Sequence, residues 1–223
     1  MASIENVLIV GDSNIREVMS TAEMDGYESI VAPGCSFWNS SDMNWRQWMI
    51  QPLLQRLSLV PEVKVLVVHF GTNDGHLSPQ DFTRGVELFI REVRRNNERL
   101  RIVLSEILPR CEVHIEYNES GQAARFNNLQ TLFNRELVDC SESCPNVSLV
   151  KHSNLDVIDK TRYWRDSIHL SLWGARLLAH DLNQEILRVL EDINLHKSRQ
   201  QGSQQRTMQE EIQPTSRIKR YNI

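Results

Sequence analysis

Four short polar segments of the 223-residue chain hold the side chains that could do covalent chemistry. They are Gly11-Asp12-Ser13-Asn14, Pro33-Gly34-Cys35-Ser36, Gly71-Thr72-Asn73-Asp74-Gly75 and Asp166-Ser167-Ile168-His169. Together they supply a hydroxyl, an imidazole with a carboxylate three residues away, and several amide donors, which are the parts acyl transfer requires. A serine hydroxyl is a weak nucleophile until a base takes its proton as it attacks. His169 is the candidate base for Ser13. Asp166 is the carboxylate that would fix the tautomer of His169 and stabilise its imidazolium. The tetrahedral intermediate puts negative charge on the former carbonyl oxygen, where each preorganised donor is worth about 2.7–4 kcal/mol. The Ser13 N–H at a helix start, the Gly34 N–H and the Asn73 side-chain amide are the candidate donors. Glycine at position 34 lets backbone approach a substrate closely.

Each segment alone says little. Gly-Asp-Ser and Gly-Thr-Asn-Asp-Gly are also turn sequences, and a lone histidine is more often structural than catalytic. Their weight comes from where the surrounding elements put them. Val7–Val10, Tyr27–Ala32, Val63–Phe70, Arg101–Ile107 and Val147–Val150 read as strands, the third nearly all apolar, as a strand covered on both faces must be. Between them lie helical patterns. Ser78 followed by Pro79 opens one, with Val86, Phe89, Ile90 and Val93 on its apolar face. A second carries Phe126, Leu129, Phe133 and Leu137, and a third, from Leu172, carries Leu178, Leu182, Ile186 and Val189. Alternating strands and helices predict an α/β fold, a mostly parallel five-stranded sheet with helices on both faces. Such a sheet binds ligands at the carboxyl ends of its strands. All four polar segments follow strands and should converge on one rim.

In order and content these segments resemble the SGNH (GDSL-type) hydrolases. That family has Gly-Asp-Ser near the N-terminus, a glycine after the second strand, Gly-x-Asn-Asp after the third and Asp-x-x-His near the C-terminus. Ile107-Leu108-Pro109-Arg110 also resembles family members. The resemblance implies a flavodoxin-like three-layer α/β/α fold and esterase or lipase chemistry without a metal or organic cofactor. It implies Ser13 as nucleophile, His169 as base, Asp166 as its orienting partner, and Ser13, Gly34 and Asn73 around the oxyanion. Asn14 departs from the commoner leucine, and the segment around Gly34 is otherwise unlike the family pattern. Among subfamilies, the short chain is similar to the esterase domains in the first open reading frame of some LINE-type retrotransposons.

Other residues read as support. Asp12 should hold the Ser13 turn, Asp74 should brace the loop carrying Asn73, and His76 and His152 read as surface or loop histidines. Phe37, Trp38, Trp45 and Trp48 form an aromatic concentration that either walls an acyl pocket or caps the core. Trp164, two residues before Asp166, lies close enough in sequence to reach the site. The chain has no Gly-x-Ser-x-Gly elbow, no P-loop and no Gly-x-Gly-x-x-Gly, so those nucleophile and nucleotide classes lack support.

At 40% hydrophobic and 24% charged residues the composition is that of a globular protein, and residues 1–195 are long enough for one catalytic domain. Net charge is −4, which argues against a whole-surface nucleic-acid binder. Residues 196–223 are Gln-rich and basic (Lys197, Arg199, Arg206, Arg217, Lys219 and Arg220) and read as a disordered tail. A nucleic-acid contact through that tail is the less favoured use of it. The alternative function is accordingly a catalytically silent binding module for RNA or a protein partner. The favoured partner is a small ester, lipid or acylated sugar. The four cysteines read as free thiols. The start lacks a basic leader with a signal-length apolar core, so a cytoplasmic location is the expectation.

Overall fold

The first strand, Val7–Gly11 (β1), consists of five buried residues, because both of its faces are covered. The computed structural model describes residues 6–35, 37, 50–111, 121–155, 159–164 and 168–212, with backbone alone for Lys160 and 200–212. Four further strands follow: Glu28–Val31 (β2), Val65–His69 (β3), Arg101–Ser105 (β4) and Val147–Val150 (β5). They form one sheet in the order β2-β1-β3-β4-β5, and every pairing is parallel. The helices are Ser13–Met19 (α1), Gln51–Leu59 (α2), Pro79–Asn96 (α3), Gln122–Ser143 (α4) and Leu172–Ile212 (α5).

Alternation along each strand divides the core in two. Leu8, Val10, Leu66, Val68, Ile102 and Leu104 pack with Leu53 of α2, Phe82 and Phe89 of α3, and Phe133 of α4. Val7, Ile9, Val65, Val67 and Val103 pack with Ile15 and Val18 of α1 and with Ala175, Leu178 and Leu182 of α5. This is the three-layer α/β/α arrangement. Burying one such Val, Leu or Phe side chain contributes about 1.5–3 kcal/mol, so both layers are firmly held. Among the described residues no helix is long and apolar enough to cross a membrane.

The strand order fixes where a site can form. From β1 the chain goes to β2 on one side, then to β3 on the other, so the order reverses between β1 and β3. Loops leaving the carboxyl ends of β1 and β3 diverge there and open a crevice. Ser13 follows β1 and Asn73 follows β3.

Two elements differ from the sequence reading. Helix α2 was not anticipated, although Pro52 in its first turn and Leu53 and Leu57 facing the core mark it. Helix α5 continues to Ile212, past the body boundary drawn at 195. Its later residues include Gln, Arg, Met and Glu, all good helix formers, so helical propensity persists where core-facing residues stop. Residues 213–223 lie outside the described residues.

Candidate active site

Ser13 opens α1 immediately after β1. Its neighbour Asp12 caps that helix, the carboxylate accepting the Asn14 N–H at 2.9 Å while the Asp12 N–H donates to the His69 carbonyl. The cap orients the first turn and projects the Ser13 hydroxyl from the sheet edge. The Ser13 Oγ lies 2.8 Å from His169 Nε2, although 156 residues separate them in sequence. This is the nucleophile-to-base distance that proton transfer requires.

A second bond fixes that meeting, and it was not foreseen. Asn14 is buried, and its Oδ1 accepts the Leu170 N–H at 3.0 Å. The residue after Ser13 therefore holds the residue after His169. A leucine at position 14 could not accept this bond. The departure from the family pattern noted above thus has a structural reason here.

Gly34 and Asn73 are brought together by the neighbouring loops. Asn73 Nδ2 donates to the Cys35 carbonyl at 2.9 Å, and the Phe37 N–H donates to Asp74 Oδ2 at 2.9 Å. Two bonds thus link the β2 loop to the β3 loop, and the second bears out Asp74 as a brace. The second N–H of the Asn73 amide is left for another acceptor. Gly34 has φ +76, the left-handed region that favours glycine, and a Cβ there would meet no described atom within 4 Å. The glycine serves this backbone turn. From the other side, Arg110 Nη2 donates to the Thr72 carbonyl at 2.8 Å while its guanidinium lies 4.0 Å over the Phe126 ring. Asp166 lies outside the described residues, as do Ser36, Trp38, Trp45 and Trp48. Phe37 is described and is core: it is buried edge-on against Phe70, Phe82 and Phe89.

The electrostatics under the site are set by burial. Asp12 is 1% exposed, and burial pushes its carboxyl up from 3.8 to about 6, against the lowering effects of the Asn14 N–H, the Thr72 side chain and His169. The native state therefore binds this proton more tightly than the unfolded chain does. Between about pH 4 and 6 stability falls as pH rises, by about 3 kcal/mol from this group alone. Asp12→Asn keeps an oxygen for the Asn14 N–H and removes the titration. The variant is expected to gain stability on wild type steadily from pH 4 to pH 7, read from denaturant midpoints. Parallel pH profiles for the two proteins would show that Asp12 does not titrate in this range.

A Ser-His-Asp arrangement whose three members are all described lies at the end of β4. Ser105 Oγ is 2.8 Å from His152 Nε2, and His152 Nδ1 is 3.1 Å from Asp181 Oδ2. Ser105 Oγ is also 2.7 Å from His69 Nδ1. One proton assignment satisfies the whole chain: His69 Nδ1–H to Ser105, Ser105 O–H to His152, and His152 Nδ1–H to Asp181. That leaves His69 Nε2 as a buried lone pair, without a hydrogen-bond partner among the described residues. Burial, and then the neighbouring His152, push His69 down to about 3, so it stays neutral. His152 does lie in the loop after β5, one of the two places expected, but it is not at the surface: it is 1% exposed, and the chain ties β3, β4 and the start of the β5 loop to α5. Ser105 is 2% exposed. A cavity of about 590 Å³ opens beside Asp181, but neither Ser105 nor His152 lines it. Both serines have an imidazole within hydrogen-bond distance, but only Ser13 is partly exposed.

Among the described residues there is no cluster of three or more metal-ligating side chains, and all four cysteines are free thiols.

No protein-family model matches the sequence, and no curated protein matches it. Solved structures do. A GDSL-like lipase from Bacteroides thetaiotaomicron superposes with a TM-score of 0.61 at 13% identity, over 85% of this chain and 91% of that one. A carbohydrate esterase family 3 protein from Talaromyces cellulolyticus gives 0.58 at 14%, over 83% and 98%. A carbohydrate acetylesterase from Sinorhizobium meliloti gives 0.58 at 16%, over 82% and 98%. The all-parallel five-stranded sheet with helices on both faces is the SGNH hydrolase fold.

Proposed function

We propose that this protein is a serine ester hydrolase acting on a short-chain acyl or acetyl ester through an acyl-enzyme. The observation that carries the reading is the 2.8 Å contact between Ser13 Oγ and His169 Nε2 at the carboxyl edge of the sheet. The likeness to two carbohydrate esterases and a GDSL-like lipase supports it.

In the proposed reaction Ser13 Oγ attacks the ester carbonyl carbon as its proton passes to His169 Nε2. The carbonyl oxygen becomes an oxyanion, held by the Ser13 and Gly34 N–H groups and the second Asn73 amide proton. The C–O bond to the alcohol then breaks, and the imidazolium gives its proton to the departing oxygen. Water follows, loses a proton to His169, and attacks the acyl-Ser13 carbon. Collapse of this second intermediate returns the proton to Ser13 and frees the carboxylic acid. Asp166 is proposed to hold the His169 ring and balance its charge in both halves.

The test is release of p-nitrophenol from p-nitrophenyl acetate by wild type and Ser13→Ala. Turnover in wild type that disappears in the variant supports the reading, and equal rates in the two proteins would end it.

A further inference from the structure

The backbone around His169 forms a short antiparallel pairing. The Trp164 N–H donates to the His169 carbonyl and the Ser171 N–H donates to the Arg162 carbonyl, each at 2.8 Å, on either side of the Tyr163–Leu170 bridge. Tyr163 and Leu170 are 5% and 0% exposed, so this pair faces the core. Side chains alternate along paired strands, so the next pair, Trp164 and His169, faces the opposite, open side. Residues directly opposite in such a pair have Cβ atoms about 4.5–5.5 Å apart. An indole that is 53% exposed thus stands beside the proposed base. Leu172 and Trp173, which open α5 just past the pairing, are 49% and 54% exposed. The junction is tight: a Cβ on Gly174 would lie 2.2 Å from the Arg162 carbonyl oxygen, so only glycine lets the helix start seat against the pairing.

The mechanism gives this location a meaning. His169 must hand its proton to the departing alcohol, so a group beside its ring on the open side meets the alcohol part of the ester. The acyl oxygen points instead toward Gly34 and Asn73. Resting on the esterase reading, we infer that Trp164 is the wall of the alcohol subsite, and that the preferred alcohol carries a ring with a flat apolar face. A pyranose presenting its C–H face and an aryl group share that chemistry. A flat indole rewards a flat partner over a flexible chain, which must give up rotational freedom to lie along it. Arg162 does not act as an anchor for an anionic head group, because its guanidinium is turned to Asp159 and the Asn154 carbonyl.

The experiment holds the acyl group constant as acetyl and varies the alcohol: an acetylated methyl pyranoside, phenyl acetate and n-butyl acetate. Each is assayed with wild type, Trp164→Ala and Trp164→Phe. Trp164→Ala is expected to raise KM for one or both ring alcohols by roughly 3–10-fold, with n-butyl acetate changed less than twofold. Trp164→Phe is expected to recover most of the loss, and the more affected ring substrate identifies the ring. Equal losses on all three alcohols would overturn the inference, since Trp164 would then only support the pairing. In a companion series of acetyl, butyryl and hexanoyl esters of one alcohol, an altered preference among chain lengths in Trp164→Ala would also overturn it, because the indole would then lie on the acyl side. If wild type shows no Ser13-dependent hydrolysis of any ester, the esterase reading fails and takes the inference with it. Ser13-dependent hydrolysis insensitive to position 164 overturns the inference alone.

Discussion

Ser13→Ala is expected to lower kcat for ester hydrolysis by about six orders of magnitude, the loss seen when a nucleophile is removed from a serine triad. His169→Ala should cost nearly as much, because an unassisted hydroxyl hardly attacks. The diagnostic result is the double variant. Nucleophile and base act as one unit, so removing both should cost no more than removing either. Additive losses would mean that the 2.8 Å contact is not used in the reaction. Stability should barely change in Ser13→Ala. The Ser13 side chain is partly exposed, and the cap of α1 belongs to Asp12. Thermal midpoints for wild type and variant serve as the control, so lost activity cannot be mistaken for lost fold.

Asn73→Ala should lower kcat by roughly 10²–10³ while leaving KM nearly unchanged, because an oxyanion donor acts on charge that exists only in the transition state. The same side chain also donates to the Cys35 carbonyl, so the variant should lose about 1 kcal/mol of stability as well. Asn73→Asp separates the two roles less cleanly, since it replaces a donor with a negative charge beside the proposed oxyanion position. Its kcat should fall at least as far as that of Asn73→Ala. A fall of less than about fivefold in Asn73→Ala would show that the amide serves only to join the β2 and β3 loops.

The layers of the fold were legible because parallel strands buried on both faces are written as near-continuous apolar runs. Val65–His69 is such a run, and Val147–Val150 matches its expected bounds. Ser13 was legible because it follows β1 at the carboxyl edge of the sheet, whereas His169 lies well beyond Val150, the end of β5, and only the order of the motifs pointed to its approach to Ser13. Asn14 was read only as a departure from a pattern, because its partner is a backbone N–H 156 residues away that no local rule reveals. The burial of His152, a loop residue as expected, was missed for a related reason. Its neighbours in sequence are polar, but β4 and α5 close over it, and burial of that kind is decided by tertiary packing. Helix α2 was passed over because attention fell on the aromatic residues before it, although Pro52, Leu53 and Leu57 carried the signal.

The enclosed Ser105 has a consequence for labelling chemistry. A fluorophosphonate or similar electrophile reacts with a serine whose oxygen is polarised by an imidazole, and the described residues include two such oxygens. Only one can meet a reagent dissolved in water. The intact mass should therefore rise by a single adduct per polypeptide, carried on the peptide with Ser13, while Ser105 stays unlabelled in the native protein, where it is enclosed, and after denaturation, where it has lost the imidazole that polarised it. Two adducts on the native protein would mean that the interior opens far more readily than its packing implies.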